Sequence, residues 1–232
     1  MTDSIEIGFL IYPGVVQLDV MAAYQVLSFP PNAKIHLISK NLDAIFSNEG
    51  LTLSPTVTFA TCPQLDIICV PGGGIGQVSV MQDRETLEFL QHISQTAQYT
   101  TSICTGSLIL ATAGLLQGYQ ATCHWAFKSL LESLDVEVID QRVVRDRDRL
   151  TGAGVTSGID LGLTLLALVW GESIAKMSQL MLEYEPEPPF NSGTPAKTDR
   201  ETLTSFIRLG QPLVESFSTC IAEVKAQNHL YR

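Results

Sequence analysis

Short apolar strands alternate with helical patterns through the first half of the chain, and this alternation permits few folds. The run Asp66–Val70 is apolar after its first residue, which is typical of a strand buried on both faces of a parallel sheet. Strands joined through helices need crossover connections, so we predict an α/β fold with a doubly wound, mostly parallel sheet and helices on both faces. The predicted strands are 5–12, 34–39, 66–70 and 100–103, and the predicted helices are 16–27, 83–97 and 106–113.

The second half of the chain continues this pattern without a compositional boundary or an internal repeat. Further strands are predicted at 136–138 and 142–145 with a turn near 146–148, and further helices at 156–170, 173–182 and 201–226. The Pro-rich segment 185–195 is predicted to be an ordered arm that covers the core, because a single helix follows it. We therefore predict one domain over residues 1–232, with a core of about 5–190 and a C-terminal arm and helix over 185–232.

The formal charge of −10 argues against nucleic-acid partners, whose binding proteins need basic residues to neutralise phosphates. It also disfavours an anionic membrane surface. The N-terminal residues 1–7 lack the basic start and the apolar stretch of a signal peptide, and the apolar run 159–170 is too short for a membrane span. We expect a cytoplasmic protein with no nucleic-acid or membrane partner.

Five cysteines are present, at positions 62, 69, 104, 123 and 220, and no two have the CxxC spacing. This number and spacing favour neither a disulfide framework nor a zinc site, and free cysteines are usually core residues. The sequence contains no dinucleotide or phosphate-binding fingerprint. We therefore expect no metal and no cofactor.

Cys104 differs from the other cysteines because it lies between a predicted strand and a predicted helix. This is a thiol version of the sharp turn that presents the nucleophile in G-x-S-x-G hydrolases. A helix N-terminus favours the thiolate, so we expect a lowered pKa for Cys104. The position predicts an activated nucleophile.

Two other predicted strand ends carry residues suited to the same site, because ligands bind at the carboxyl ends of strands in open α/β sheets. Gly73 and Gly74 follow one strand and could present N–H groups to a developing anion. Asp19 lies in an apolar stretch and is either a helix cap or a buried acid that moves protons. His124, followed by Trp125, could pair with the cysteine or serve a structural role.

Four blocks of this sequence are Pro71–Gly74, Ile103–Gly106, Ala113–Leu116 and Thr122–Trp125. Together they resemble the ThiJ/PfpI superfamily, which has the fold of the class I glutamine amidotransferases. The resemblance implies a flavodoxin-like sheet with a cysteine nucleophile elbow and a homodimer.

The resemblance is strongest to the isonitrile-hydrating branch of that superfamily. The segments that carry it are Gln17–Val20, Cys104–Leu108 and 184–195. Many superfamily members have histidine where this chain has Thr105 and glutamate where it has Asp19. The resemblance implies that water is added to an isonitrile, R–N≡C, through a thioimidate on Cys104, with Asp19 as proton donor and base. Thr105 would hold Asp19 or the developing charge opposite Gly73. Gly73, Gly74, His124 and Trp125 would contact the substrate.

Three other interpretations stay open at this point. The first is a glyoxalase-like or deglycase-like enzyme acting on small oxoaldehydes. The second is a redox sensor in which Cys104 is oxidised to the sulfinate. The third is the ligand-sensing domain of a transcription regulator, which would need a helix-turn-helix module that residues 196–232 are too short to supply.

Overall fold

The computed structural model describes residues 4–230, with side chains described for 4–226. Its strands are β1 (Ile5–Leu10), β2 (Ala33–Ser39), β3 (Ile45–Phe46), β4 (Thr52–Leu53), β5 (Val57–Thr58), β6 (Ile67–Val70), β7 (Tyr99–Ile103), β8 (Gln120–Ala121), β9 (Glu137–Val138), β10 (Val143–Asp146) and β11 (Arg149–Gly152). Seven of them form the central sheet, in the order β10-β11-β7-β6-β1-β2-β5. Every neighbouring pair in it is parallel except the β10–β11 hairpin.

The helices are α1 (Gln17–Leu27), α2 (Gly76–Gln82), α3 (Arg84–Ser94), α4 (Gly106–Thr112), α5 (Lys128–Ser133), α6 (Ser157–Trp170), α7 (Glu172–Met181) and α8 (Arg200–Leu230). They pack in two groups: α1 and α7 contact α6, whereas α2 and α5 contact both α4 and α8. The predicted α/β, doubly wound, mostly parallel sheet is confirmed. Within residues 4–230, no helix has both the length and the apolar character needed to cross a membrane.

Strand β6 lies near the middle of the sheet, and its four residues are fully buried, as its unbroken apolar sequence predicts. It pairs with β7 on one side and with β1 on the other. The carboxyl ends of these three strands therefore lie side by side. The first turn of α1, the glycines after β6 and the cysteine after β7 meet at this edge of the sheet.

Two elements differ from the sequence prediction. Residues 76–82 form helix α2, where the sequence suggested only the end of a glycine loop. Gly76 is the first residue of this helix, and Ile75 separates it from Gly74. Residues 149–152 form β11, although the sequence suggested that the strand pattern ended at the turn near 146–148. The strand begins with the charged residue Arg149, so no apolar run marks it in the sequence. In the structure it pairs with β7, and all four of its residues are buried.

Candidate active site

Cys104 directly follows β7 and has a left-handed backbone conformation, with φ of +59°, that residues other than glycine seldom adopt. Its N–H donates to the carbonyl oxygen of Gly152 at 3.1 Å, and the residue is only 6% exposed. Gly106 opens α4 so close to β6 that a methyl group there would lie 2.1 Å from the carbonyl oxygen of Val70. The turn between strand and helix predicted from the sequence is confirmed, and the cysteine occupies its strained position.

Asp19 lies in the first turn of α1, is fully buried and interacts with the Cys104 thiol. Its Oδ2 accepts a 2.9 Å hydrogen bond from the N–H of Gly72, whereas Oδ1 has no hydrogen-bond partner in the described part of the chain. Burial raises the pKa of this carboxyl to about 7, although the hydrogen bonds from Gly72 and Cys104 lower it. Asp19 is therefore the buried acid of the two alternatives and not a helix cap.

The direction expected for the Cys104 pKa is wrong. Burial of the thiol and the nearby Asp19 carboxylate raise its pKa well above the usual value, and they outweigh hydrogen bonds from Thr105 that lower it. At neutral pH the pair therefore holds a thiol beside a carboxyl group that is about half ionised. The charge of each group raises or lowers the pKa of the other, so the carboxyl and the thiol titrate as neighbours.

Thr105 lies beside Cys104 in a buried hydrogen-bonded cluster. Its hydroxyl donates to Oε1 of Gln77 at 2.7 Å and accepts a 3.2 Å hydrogen bond from the N–H of Gly73. Its main-chain N–H acts on the Cys104 thiol and lowers the pKa of that thiol. The structure thus places Thr105 opposite Gly73, as expected, with its hydroxyl directed to Gln77 and not to Asp19.

The glycine loop after β6 does not offer free N–H groups. The N–H of Gly72 donates to Asp19, that of Gly73 to Gln77 and Thr105, and that of Gly74 to the carbonyl oxygen of Gly14. That Gly73 and Gly74 present N–H groups to a developing anion stays a prediction, and in this structure both groups already have hydrogen-bond partners. Both residues nevertheless line the pocket at Cys104.

His124 and Trp125 also line that pocket. Nδ1 of His124 accepts a 3.3 Å hydrogen bond from the N–H of Ala126, and its ring lies 5.5 Å from the ring of Trp125, centroid to centroid. Burial, followed by the Lys128 charge, lowers the pKa of the histidine. A neutral ring tied to the main chain is a wall of the pocket, and Asp19 is the ionisable group whose charge most affects the thiol.

The pocket that opens onto Cys104 has a volume of about 500 Å³ and a mostly apolar lining. We call it the Cys104 pocket. Residues 184–195, which include the predicted covering arm, do not line this pocket, because α8 runs back over the site and supplies that wall. The lining residues from α8 are Phe206, Ile207, Gly210, Gln211, Leu213 and Val214.

Sequence reasoning missed Gln77 and the α8 residues. Gln77 is a polar residue with no exposed surface, and its only sequence signal was its place just after the glycine loop. In the described part of the chain, no three His, Cys, Asp or Glu side chains are grouped closely enough to hold a metal ion. The chemistry available to this site is nucleophilic attack by sulfur coupled to proton transfer by a carboxyl group.

Comparisons with known proteins give a consistent set of relatives. The sequence profile described as the DJ-1/PfpI family matches residues 6–168. Isonitrile hydratase of Pseudomonas putida is 49% identical over 193 residues, which cover 83% of this chain and 84% of that enzyme. The HTH-type transcriptional regulator GbdR of Pseudomonas aeruginosa (strain UCBPP-PA14) is 28% identical over 188 residues, which cover 78% of this chain and 51% of the regulator.

A solved structure shares nearly the whole architecture. The crystal structure of a THiJ/PfpI family protein from Pseudomonas syringae superposes with a TM-score of 0.92 at 40% sequence identity. The superposition covers 95% of this chain and 91% of that one. The match extends beyond residues 6–168, so the fold similarity includes most of the C-terminal region as well as the sheet.

Proposed function

The chain belongs to the DJ-1/PfpI family. We propose that it is a lyase that adds water to isonitriles. The product is the N-substituted formamide. One observation carries this proposal: the thiol of Cys104 and the buried carboxyl of Asp19 interact at a pocket whose lining is mostly apolar. The 49% identity to isonitrile hydratase supports the same assignment.

The first step is the addition of the thiol across the isonitrile carbon. Asp19 takes the proton of Cys104, the thiolate forms the C–S bond, and Asp19 delivers the proton to the same carbon. The product is a thioimidate, R–N=CH–S–Cys, and the carboxylate is regenerated. A carboxyl with a pKa of about 7 suits this exchange, because it accepts and donates a proton near neutral pH.

The second step is hydrolysis of the thioimidate. The Asp19 carboxylate removes a proton from water as the water oxygen attacks the carbon, and the proton passes to the nitrogen. The tetrahedral adduct, R–NH–CH(OH)–S–Cys, then breaks its C–S bond and releases R–NH–CHO. The hydroxyl proton returns to sulfur, so Cys104 and Asp19 regain their starting states.

The remaining site residues position these two groups. Thr105 hydrogen-bonds the sulfur through its main-chain N–H, and this bond steadies the thiolate that attacks. Gly73, Gly74, His124 and Trp125 contact the substrate as parts of the pocket wall. Because that wall is mostly apolar, it favours an uncharged hydrocarbon group on the isonitrile nitrogen.

We further propose that the enzyme needs no cofactor, works in the cytoplasm and is a homodimer. The addition of water to an isonitrile involves no net oxidation or reduction, which is consistent with catalysis by side chains alone. The resemblance to ThiJ/PfpI proteins supports the dimer. Exposed apolar side chains, among them Phe46 and Ile75, provide surface that a partner could bury.

The test is incubation with a panel of alkyl and cycloalkyl isonitriles, with formamide formation followed by mass spectrometry. We expect turnover by the wild type and none by Cys104→Ala, which removes only a small buried side chain. Cys220→Ala is the matched control, because this cysteine is also buried but does not line the pocket. Lactate formation from methylglyoxal without any formamide would instead identify a glyoxalase.

A further inference from the structure

Gln77 is a fully buried polar residue that does not line the Cys104 pocket. It is the second residue of α2, directly after the glycine loop. A buried side-chain amide is costly unless each of its polar atoms is hydrogen-bonded, so its partners show what holds it there.

Both ends of the Gln77 amide are bonded. Oε1 accepts from the N–H of Gly73 at 2.9 Å and from the hydroxyl of Thr105 at 2.7 Å. Nε2 donates to the carbonyl oxygen of Thr105 at 2.9 Å and to Sδ of Met81 at 3.6 Å. One side chain thus joins the loop after β6 to the elbow after β7, which lie 28 or more residues apart in sequence.

These contacts fix the main chain at the two points that matter to the reactive pair. Two bonds to Thr105 hold its conformation, and Thr105 is the residue whose N–H lowers the pKa of the Cys104 thiol. The bond to Gly73 holds the loop whose preceding N–H, that of Gly72, donates to Asp19. We infer that Gln77 is a positioning residue that keeps the Thr105 and Gly72 N–H groups directed at Cys104 and Asp19.

The expected effect of Gln77 on turnover rests on the proposed isonitrile hydration. Its expected effect on the reactivity of the Cys104 thiol does not. Both N–H groups stabilise the negative charge that the pair carries, on sulfur or on the carboxylate. Loss of their alignment raises the pKa of both groups. At a given pH less thiolate then forms, and Asp19 is ionised only at higher pH.

Other ionisable groups face the pair, and the substitution leaves them in place. Tyr12, two residues after β1, is buried near both Asp19 and Cys104, and Glu49 in the β3–β4 turn acts on Asp19. Cys123, after β8, acts on Cys104. His124 lines the pocket as a neutral ring. Since the substitution changes none of these groups, a shift in the pKa of Cys104 or Asp19 would result from displacement of the Thr105 and Gly72 N–H groups.

The experiment compares Gln77→Met with wild type and with Gln91→Met. Methionine keeps the length and volume of the side chain but makes none of the amide bonds. Gln91 is a matched control, because its Nε2 donates to the carbonyl oxygen of Ala113, away from the pocket. The first readout is the rate of Cys104 alkylation by iodoacetamide against pH, measured by mass spectrometry of the Cys104 peptide, which requires no isonitrile substrate.

For Gln77→Met we expect alkylation at a fixed pH to slow by at least about threefold, with the pH profile displaced upward by about half a unit or more. We expect kcat for isonitrile hydration to fall at least about tenfold, because proton transfer by the misaligned pair becomes less efficient. Gln91→Met should match wild type in both assays. A Gln77→Met profile that superposes on wild type overturns the proposal, even if the variant is less stable to heat.

Gln77→Glu decides the question if Gln77→Met does not fold. Its carboxylate retains both acceptor contacts, loses the donor to the Thr105 carbonyl oxygen and adds negative charge near the pair. We expect its alkylation profile to be displaced upward from that of wild type by about half a unit or more. An unshifted profile in this variant overturns the proposal. Failure of every isonitrile to react would overturn the proposed function and leave the alkylation test intact.

Discussion

The main-chain N–H of Gly72 donates a 2.9 Å hydrogen bond to Oδ2 of Asp19, across 53 residues of sequence. This bond joins the loop after β6 to the first turn of α1, and it holds the carboxyl beside the thiol. Gly72 has no room for a side chain: a methyl group there would lie 2.4 Å from Oγ1 of Thr105 and 2.8 Å from Oδ2 of Asp19. The acid and the elbow are therefore packed against the same glycine.

Gly72→Ala is expected to displace Asp19 or Thr105, because both lie within contact distance of the added methyl group. We expect a loss of kcat/KM of at least about 100-fold and a destabilisation of about 1–3 kcal/mol. The control is Gly193→Ala, where a methyl group meets no atom within 4 Å. Formamide assays and urea unfolding of both variants measure the two effects. Wild-type kinetics in Gly72→Ala would show that catalysis does not need the close packing of Asp19 and Thr105 against Gly72.

The pH dependence of hydration follows from the carboxyl pKa of about 7. The active form of the pair carries one proton in total, which Asp19 moves from sulfur to carbon. Below pH 7 the pair carries two protons, so kcat/KM should rise with pH through about 7 and fall again only where the thiol ionises in the free enzyme.

Asp19→Asn removes the group responsible for the lower limb of that profile. We expect kcat to drop by at least about 100-fold and the rise near pH 7 to disappear. The measurement is the initial rate from pH 5 to 9 for both proteins. A rise at pH 7 that survives in Asp19→Asn would assign the titration to another group.

Protein stability should also respond to this carboxyl. Its pKa is raised in the folded state, so the folded protein binds the proton more tightly than the unfolded chain does. Stability is therefore lost as the pH rises from about 4, where the unfolded chain ionises, through about 7. The full effect is up to about 4 kcal/mol, at 1.4 kcal/mol per pH unit.

Asp19→Asn lacks this titration. The free energy of unfolding of wild type, measured in urea, should fall relative to that of the variant between pH 4 and pH 8. Parallel stability profiles for the two proteins would contradict a raised pKa in the folded state.

The sequence was sufficient to bring Cys104, Asp19 and the glycine loop together. Each follows a predicted strand, and the carboxyl ends of neighbouring parallel strands meet at one edge of the sheet. The same reasoning gave the wrong direction for the thiol pKa, because the helix dipole was the only influence visible in the sequence. Burial and the charge of Asp19 act through space, and here they are stronger.

The role of Gln77 could not be read from its neighbours in sequence. A glutamine near the start of a helix is usually exposed, and only the close approach of the β6 and β7 ends turns its amide inward. The sequence also predicted the last helix but not its position. Six residues between 206 and 214 line a pocket whose other lining residues lie between Val16 and Val155, and no local pattern encodes that contact.

Phe206 on α8 should control the size of the group that the isonitrile carries. Its ring lies 5.2 Å from the ring of Trp125 and 6.4 Å from that of His124, centroid to centroid, and it forms part of the pocket wall. Phe206→Ala removes apolar contact with the hydrocarbon group but leaves Cys104 and Asp19 untouched. We expect KM for cyclohexyl isonitrile to rise at least about fivefold with little change in kcat, because only binding of the hydrocarbon group is lost.

A small substrate separates this effect from a general defect of α8. Methyl isonitrile has only one carbon on its nitrogen and so little hydrocarbon surface to bury, and its KM should change much less in Phe206→Ala. Leu209→Ala is the control on the same helix, because Leu209 is 81% exposed and does not line the pocket. Equal changes for both substrates would mean that Phe206 supports the fold of the site and not its selectivity. The long C-terminal helix lies outside the 6–168 family match, so a size-dependent effect would locate selectivity outside the catalytic sheet.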